Sequence, residues 1–161
     1  MASAATLRCS LVTPAGELLL LGDERALSGV YFADGRRPSF GGTRTADAPF
    51  AAAREQLEAW FAGERTAFRL DLAPAGTPFQ RRVWEALRAI PFGATATYGE
   101  LARRLGTSPR AVGLANGRNP FSVVVPCHRL VGTGGALTGY AGGLERKAWL
   151  LAFERSAALG R

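Results

Sequence analysis

Apolar residues in the first third of the chain occur in short runs that are separated by turn residues. The runs are TLRCSLVT, GELLLLG and LSGVYF, and Pro, Gly and Asp residues follow them at 14–16, 22–23 and 34–35. Short runs of this kind, bounded by Gly, Pro and Asp, are typical of strands joined by tight turns. The pattern therefore predicts a small antiparallel meander.

A helical period follows the meander. The segment APFAAAREQLEAWFAGE repeats apolar residues at the spacing of one helix face, namely Phe50, Leu57, Trp60 and Phe61. FRLDL is predicted to be one more strand. The Pro/Gly-rich APAGTP then reads as a linker, so we expect an N-terminal α/β domain at 1–74 and a second domain at 75–161.

The second half is mostly helical in its pattern. PFQRRVWEALRAI has one apolar face, and Thr77 and Pro78 supply the N-cap and the first helical residue. YGELARRLG and PRAVGLANG read as two short helices joined by a tight turn that contains Gly106, with Ser108 as the second N-cap. This arrangement resembles a helix-turn-helix. Small residues along the second helix suit either close approach to DNA or ordinary close helix packing.

Two further elements are predicted after these helices. FSVVVPCHRLVG is predicted to be a strand that reaches Cys127, and LERKAWLLAFE a last amphipathic helix with Glu154 at its end. A carboxylate at a helix C-terminus is unfavourable because of the helix dipole. A role in orienting a catalytic histidine would explain why Glu154 is at this position. The alternative explanation is a helix end that is exposed to solvent.

Charge divides the chain into unequal halves. Up to residue 74 there are 8 Arg and 9 Asp or Glu, a net charge of −1, whereas the rest carries 12 Lys or Arg and 4 Glu, a net charge of +8. Such asymmetry favours a polyanionic partner, most simply nucleic acid. A soluble surface built from arginine is the alternative interpretation.

Composition gives the broad class. With 161 residues, 47% of them hydrophobic, the chain is long enough for one ordinary domain or two small ones. No apolar run is long enough to span a bilayer, and the first ten residues lack the pattern of a secretory signal. Two distant cysteines do not make a disulfide framework, so we expect a protein of the reducing cytoplasm.

Cys127 and His128, in VPCHRL, are the candidate reactive pair. A thiol needs a base to become a nucleophile, and histidine titrates in the right range. Neighbours on a strand point to opposite faces, so an inert buried cysteine beside a structural histidine is the alternative. One His and two distant Cys do not have zinc-site spacing, so no metal is expected.

The motifs of the second half closely resemble those of one family. NPFSVVVPCHRLVGTGGALTGYAGGLERKAWLLAFE is similar to the active-site region of the O6-alkylguanine-DNA alkyltransferases, or methylated-DNA–protein-cysteine methyltransferases. GTPFQRRVWEALRAIPFGATATYGELARRLG and RAVGLANGRNP extend the resemblance over residues 76–154. It implies an α/β (α+β) fold, with a ribonuclease H-like N-terminal sheet and helix, and a mostly helical, winged helix-turn-helix C-terminal domain that carries the cysteine.

The resemblance also implies a function, which is DNA repair by direct reversal of damage. The alkyl (methyl) group of O6-alkylguanine in double-stranded DNA passes irreversibly to Cys127, in a single-turnover suicide reaction with base flipping; O4-alkylthymine is left open as a further substrate. No cofactor is implied. The implied state is a monomer, with cooperative DNA binding left open.

The family roles map onto matching positions. Cys127 is the implied alkyl acceptor, His128 takes its proton through a water, and Glu154 orients His128. Asn119 is implied to brace the active-site turn and Tyr98 to donate to N3 of the base. The remaining implied DNA contacts are Arg110, as a finger that replaces the flipped nucleotide, and Thr95, Thr97, Ala111, Gly113, Ala115, Asn116 and Arg118. The residues implied around the base are Val125, Tyr140, Ala141 and Gly142.

The chain departs from the family pattern at two points. Its turn GTSPRAVG is two residues shorter than the G-x-P-x-x-A-R-A-V-G of many members, so we expect a different angle for Arg110. Some members have an N-terminal zinc site of Cys and His, but this chain has only Cys9 there and no His. Relatives that bind without repair usually have Trp in place of the cysteine, which Cys127 argues against.

Two other functions compete with this interpretation. A DNA-binding damage sensor would bind alkylated DNA and leave Cys127 unmodified. A Cys–His hydrolase would turn over an ester or peptide substrate repeatedly, and the basic helix-turn-helix half argues against it.

Overall fold

The N-terminal sheet is the predicted meander with one added strand. In the computed structural model, which describes residues 6–73 and 75–160, the meander consists of Leu7–Thr13 (β1), Gly16–Gly22 (β2) and Leu27–Phe32 (β3). A two-residue strand, Arg44–Thr45 (β4), pairs in parallel with β1, and the sheet order is β3-β2-β1-β4. Alternate residues of β1 are buried, as one solvated and one covered face require.

Helix α1, Ala51–Phe61, covers the buried face of this sheet and confirms the predicted helix. Trp60 is fully buried and contacts aromatic rings from both halves of the chain, among them Phe68 and Phe92. The predicted strand FRLDL is wrong, because only Leu72 forms an isolated bridge, to Leu27. The Gln56 side chain bonds both the N–H and the carbonyl of Arg69, groups that a ladder would need.

Three helices follow in the second half. They are Pro78–Arg88 (α2), Tyr98–Leu105 (α3) and Pro109–Gly117 (α4). The predicted caps are confirmed at Thr77 and Ser108, whose hydroxyls accept from backbone N–H groups of the first turn at 3.1 and 3.2 Å. Gly106 ends α3 at φ 67°, a left-handed conformation that glycine adopts without strain. Helices α3 and α4 form the predicted helix-turn-helix.

A two-stranded sheet and a last helix complete the C-terminal half. Ala96–Thr97 (β5) pairs in parallel with Leu130–Val131 (β6), and Leu144–Leu159 forms the last helix (α5). The proposed boundary at Pro74 lies outside the described residues, so it stays a prediction. No helix in the described part of the chain has the length and hydropathy needed to cross a membrane.

The edge of the N-terminal sheet contacts the segment that leads to the cysteine. The Val30 N–H of β3 donates to the Pro120 carbonyl at 2.7 Å, and the Ser122 N–H donates back to the Val30 carbonyl at 2.9 Å. Backbone bonds of this kind hold the two segments in a fixed register. The N-terminal sheet is thus part of the scaffold of the cysteine segment.

Candidate active site and nucleic-acid interface

Tight turns, and not the predicted strand, lead to the cysteine. The Val124 N–H donates to the Ser122 carbonyl at 2.8 Å, and Val123 between them has φ 70°. A β-branched residue with this φ is strained, so its surroundings must hold it there. The predicted strand is wrong for residues 121–129, whose backbone groups bond within the segment or to Val30, with one isolated bridge between Phe121 and Val30. Only Leu130–Val131 of the predicted stretch forms a strand, β6.

The Asn119 side chain holds this strained turn together. Its Nδ2 donates to the carbonyls of Phe121 at 3.3 Å and Val125 at 3.0 Å, and its Oδ1 accepts from the Phe121 N–H at 3.0 Å. All three bonds are buried, where an unpaired polar group is costly. The Asn119 side chain therefore fixes the backbone on both sides of Val123.

Cys127 lies immediately after these turns. Pro126, at φ −79° and ψ 63°, forms an inverse γ-turn in which the Cys127 N–H donates to the Val125 carbonyl at 2.7 Å. The cysteine then opens a single 3₁₀ turn, Cys127–Arg129. Burial raises the pKa of the Cys127 thiol, and the Asn119 amide and the Lys147 charge offset part of that rise. The resting group is therefore a thiol.

His128 is completely buried beside a carboxylate. Its Nε2 lies 2.8 Å from Glu154 Oε1. An ionised carboxylate only accepts, so Nε2 carries the proton and Nδ1 is left as an acceptor, with no hydrogen-bond partner among the described residues. Burial lowers the pKa of His128, although Glu154 opposes this effect. A neutral imidazole with a free acceptor nitrogen is suited to receive a proton.

Glu154 lies within α5 and not at its end, so that prediction is wrong. The helix continues to Leu159, and Glu154 is fully buried. The carboxylate is explained by its partners and not by the helix dipole. Arg129 donates to it from Nε at 2.9 Å and from Nη2 at 2.7 Å, and the Gly93 N–H donates at 3.3 Å.

Arg129 supplies the counter-charge of this buried site. Its Nη1 also donates to the Ile90 carbonyl at 2.7 Å, so the guanidinium is fixed at both ends. Burial alone would raise the pKa of Glu154, but the hydrogen bonds from His128 and Arg129 outweigh it and lower that pKa. The sequence analysis gave Arg129 no role, although its place beside His128 in PCHR was the available signal.

Lys147 is a second buried cation that the sequence analysis missed. It is the only lysine of the chain, and its Nζ donates to the carbonyls of Leu130 at 2.6 Å, Thr138 at 2.8 Å and Gly139 at 3.3 Å. Burial lowers the pKa of Lys147, while the nearby Cys127 raises it. The ammonium group therefore joins β6 to the segment GTGGALTGYAGG at 132–143, the Gly-rich loop, close to the cysteine.

The Gly-rich loop contacts Tyr98 and places Tyr140 near Cys127. The Tyr98 hydroxyl, at the start of α3, donates to the Thr138 carbonyl at 3.1 Å. Tyr140 is buried with its hydroxyl beside Ser122, and burial raises its pKa well above the ordinary value. Val125 is also buried, and its carbonyl already accepts from both Cys127 and Asn119.

Arg146 of α5 joins this loop to the N-terminal domain. Its Nη1 donates to the Gly142 carbonyl at 2.6 Å and its Nε to the Ala15 carbonyl at 2.7 Å, in the turn between β1 and β2. Its Nη2 lies 3.0 Å from Asp34 Oδ1, and its guanidinium lies 4.2 Å from the centroid of the Phe32 ring. One side chain therefore fixes the loop against three parts of the N-terminal domain.

Helix α4 exposes a face with little bulk. Arg110 in its first turn is exposed, and so are Gly117 and Arg118 at its end, while Ala111 and Gly113 are half-buried. Arg103 and Arg104 are exposed in the last turn of α3. The helix-turn-helix therefore presents small residues flanked by cations, the composition expected of a surface that approaches a phosphate backbone.

The other predicted DNA contacts have different surroundings. Ala115 and Asn116 are buried, and the Ala115 carbonyl accepts from Trp84 Nε1 at 2.8 Å. Their positions on α4 face α2, which leaves little of either side chain for DNA. Thr97 is half-buried and caps α3 through its hydroxyl, which accepts from the Glu100 N–H at 3.0 Å, while Thr95 is exposed in the preceding loop.

Two family models match the two halves of the chain. The model for the ribonuclease-like domain of 6-O-methylguanine DNA methyltransferase matches residues 8–74, and the model for the DNA-binding domain of the same family matches residues 78–156. Together they extend over most of the sequence.

Curated relatives and solved structures agree with these matches. The chain is 51% identical over 146 residues to the methylated-DNA–protein-cysteine methyltransferase of Mycolicibacterium paratuberculosis, covering 89% of this chain and 88% of the relative. It is 49% identical over 148 residues to that of Methanosarcina acetivorans, with coverages of 89% and 95%.

The structure of Mycobacterium tuberculosis OGT in complex with DNA is similar to this fold, with a TM-score of 0.89 and 44% identity over 94% of each chain. Both the family models and these relatives span the cysteine segment and the helix-turn-helix described above. The chain therefore belongs to the 6-O-methylguanine DNA methyltransferase family.

Proposed function

We propose that this DNA methyltransferase repairs alkylated guanine in duplex DNA by transferring the O6-alkyl group to its own Cys127. One observation carries the proposal. His128, the residue next to Cys127, is buried and hydrogen-bonded to Glu154, which is in turn held by Arg129. This arrangement supplies a neutral base next to a thiol whose pKa is raised, which is the resting state that a proton transfer needs.

The transfer can be written with its atoms balanced. His128 Nδ1 takes the thiol proton of Cys127 through one water, and Glu154 stabilises the imidazolium that forms. The sulfur attacks the alkyl carbon, the bond between that carbon and guanine O6 breaks, and the electron pair leaves with the base. The Tyr98 hydroxyl, which donates to the Thr138 carbonyl before the base is bound, would turn to donate to N3 as charge develops there. The guanine anion then takes up the proton that His128 received, and the imidazole returns to its neutral form. The product is a thioether, so each molecule reacts once.

The target carbon lies inside the duplex, so the nucleotide must be flipped out. Arg110, exposed in the first turn of α4, would fill the space that it leaves. Arg103, Arg104 and Arg118 would meet phosphates and provide sequence-independent affinity that depends on salt. The shorter turn before Arg110 would change the angle of this finger.

The base would be held between α3 and the Gly-rich loop. Tyr140, Ala141 and Gly142 would close over it, and Val125 would line the inner wall. O4-alkylthymine has a comparable alkyl group and is a further candidate substrate.

We further propose a monomer that works in a reducing compartment, which we take to be the cytoplasm. Cys9 and Cys127 are both buried and free, and the proposed reaction needs a reduced thiol. The division into domains at 1–74 and 75–161 belongs to the same proposal, with the scaffold in the first domain and the reagent in the second.

The experiment is incubation with duplex DNA that contains O6-methylguanine, followed by intact-mass and peptide analysis. We expect one methyl group per chain, on Cys127. The matched control is Cys127→Ser, which should bind the duplex normally and gain no methyl group. Binding with an unmodified wild-type Cys127 would favour the damage-sensor alternative, and repeated turnover of an ester would favour a hydrolase.

A further inference from the structure

A groove of about 670 Å³ separates helix α4 from the loop that follows β3. We call it the arginine groove; its N-terminal side is formed by Tyr31, Arg36 and Arg37, and its C-terminal side by Gly113, Leu114 and Arg118. Leu114 is 66% exposed, so this side of α4 is open to solvent. The groove is therefore continuous with the small-residue surface of the helix-turn-helix.

The charge of the groove differs from that of the domain that contributes half of it. Residues 1–74 carry a net charge of −1, yet Arg36 and Arg37 lie side by side here and are both exposed. Arg118 adds a third exposed cation from the other side. None of the described residues that line the groove is Asp or Glu. Clustered, uncompensated arginines of this kind form an electrostatic site for phosphates.

The Arg37 guanidinium is partly fixed by its own loop. Its Nε donates to the Ala33 carbonyl at 2.7 Å and its Nη1 to the Pro38 carbonyl at 3.3 Å. Its Cζ lies 5.0 Å from the centroid of the Phe40 ring. These contacts use two of the donor nitrogens and leave Nη2 for another acceptor. A fixed guanidinium loses less entropy when it binds a phosphate than a freely rotating one.

The loop is also tied to the base-binding loop. The Arg36 N–H donates to the Ala141 carbonyl at 2.8 Å. This bond is made by the backbone, so the Arg36 side chain is not needed for it. The backbone at Arg36 is therefore fixed beside the proposed base pocket, on the same groove that α4 lines.

We propose that Arg36 and Arg37 bind the phosphate backbone of the same duplex that α4 enters, so that the N-terminal domain is part of the DNA-binding surface. The inference rests on the proposed function for the identity of the nucleic acid. The flanking strand passes over the arginine groove while the target nucleotide lies on the other side of Ala141. The net charge of residues 1–74 does not reveal this local positive charge, because carboxylates elsewhere in the domain balance the arginines.

The test measures the affinity for undamaged duplex DNA by fluorescence anisotropy over a series of salt concentrations. The variants are Arg36→Gln and Arg36→Gln/Arg37→Gln. Each lost phosphate contact should make the plot of log K against log salt less steep by about 0.9. If the affinities are equal at 1 M salt, this is a loss of about eightfold in affinity per arginine at 0.1 M salt. Arg36→Lys should restore the slope, since it restores the charge.

The matched control is Arg25→Gln/Arg69→Gln, which removes two exposed charges from the same domain outside the groove. It should leave the slope unchanged. Transfer from free O6-benzylguanine, which needs no duplex, should be unchanged in Arg36→Gln and so shows that the fold is intact. An unchanged slope in the double variant, or an equal loss in the control, would overturn the inference.

Failure of this inference is distinguishable from failure of the proposed function. Binding to undamaged DNA does not require alkyl transfer. A less steep salt dependence in the arginine variants, together with an unmodified Cys127 in the wild type, would support the DNA contact at the arginine groove and reject the repair reaction. Normal methylation of Cys127 with an unchanged slope in the variants would support the repair reaction and reject the DNA contact at the arginine groove.

Discussion

Glu154→Gln is the substitution that tests the buried site most completely. The side chains are nearly equal in shape, so packing is kept and only the charge and one acceptor oxygen are lost. In the wild type both carboxylate oxygens accept, from His128, Arg129 and the Gly93 N–H. A glutamine places an NH₂ donor against donors that have no alternative acceptor. It also leaves Arg129, which is 5% exposed, without its counter-charge.

The expected loss of stability follows from that geometry. Removal of one partner of a buried ion pair costs about 3–5 kcal/mol, because the other charge stays buried. Urea denaturation followed by tryptophan fluorescence at pH 7 measures this difference. Because the pKa of Glu154 is lowered in the folded state, its contribution to stability depends on pH. The stabilisation is present above the unfolded pKa and is lost as the pH falls through the folded pKa. The difference between the two proteins should therefore shrink below about pH 4.

Transfer should slow in the same variant, because Glu154 raises the pKa of His128 and its loss makes the imidazole a weaker base. We expect a reduction on the order of 100-fold in the rate of Cys127 methylation. The double variant Glu154→Gln/Arg129→Met removes the unpaired charge as well, so it should regain stability without regaining the rate. A loss of stability below about 1 kcal/mol in Glu154→Gln, with a normal rate, would refute this reasoning.

Three further predictions concern single side chains. Asn119→Ala should lower the free energy of unfolding by about 3 kcal/mol, from three buried hydrogen bonds at about 1 kcal/mol each; Asn116→Ala, whose Oδ1 has no partner among the described residues, is the control and should cost less in urea denaturation. Arg110→Ala should reduce repair of duplexes far more than transfer from free O6-benzylguanine, and equal losses in the two assays would mean that it is not a finger. Arg146→Ala should slow transfer even from the free base, because the Gly142 loop loses its support, whereas the exposed Arg155→Ala on the same helix should not.

Local signals predicted the local structure correctly. The caps at Thr77 and Ser108 are hydrogen bonds between residues three apart, so the sequence around them contains all the partners. The same is true of Gly106, whose left-handed conformation ends α3. The helix-turn-helix could be predicted because Gly106 and Ser108 mark the turn between its two helices in this way.

The structure of the cysteine segment could not be predicted in the same way. FSVVVP has the composition of a strand, yet Asn119 and the edge of β3, about ninety residues earlier in the chain, hold it in turns. The burial of Glu154 depends on Arg129 and Gly93, which no helical periodicity of α5 reveals. Family motifs pointed to the proposed reactive residues Cys127 and His128, but the charges of Arg129 and Lys147 that surround them became visible only in three dimensions.

A titration of the protein with excess duplex that contains O6-methylguanine tests the central claim most directly. If Cys127 is consumed as a reagent, the amount of repaired guanine should reach a plateau at one per protein chain, and every inactivated chain should carry its methyl group on Cys127. Repair that continues beyond one equivalent, or a plateau with the methyl group on another residue, would contradict the account.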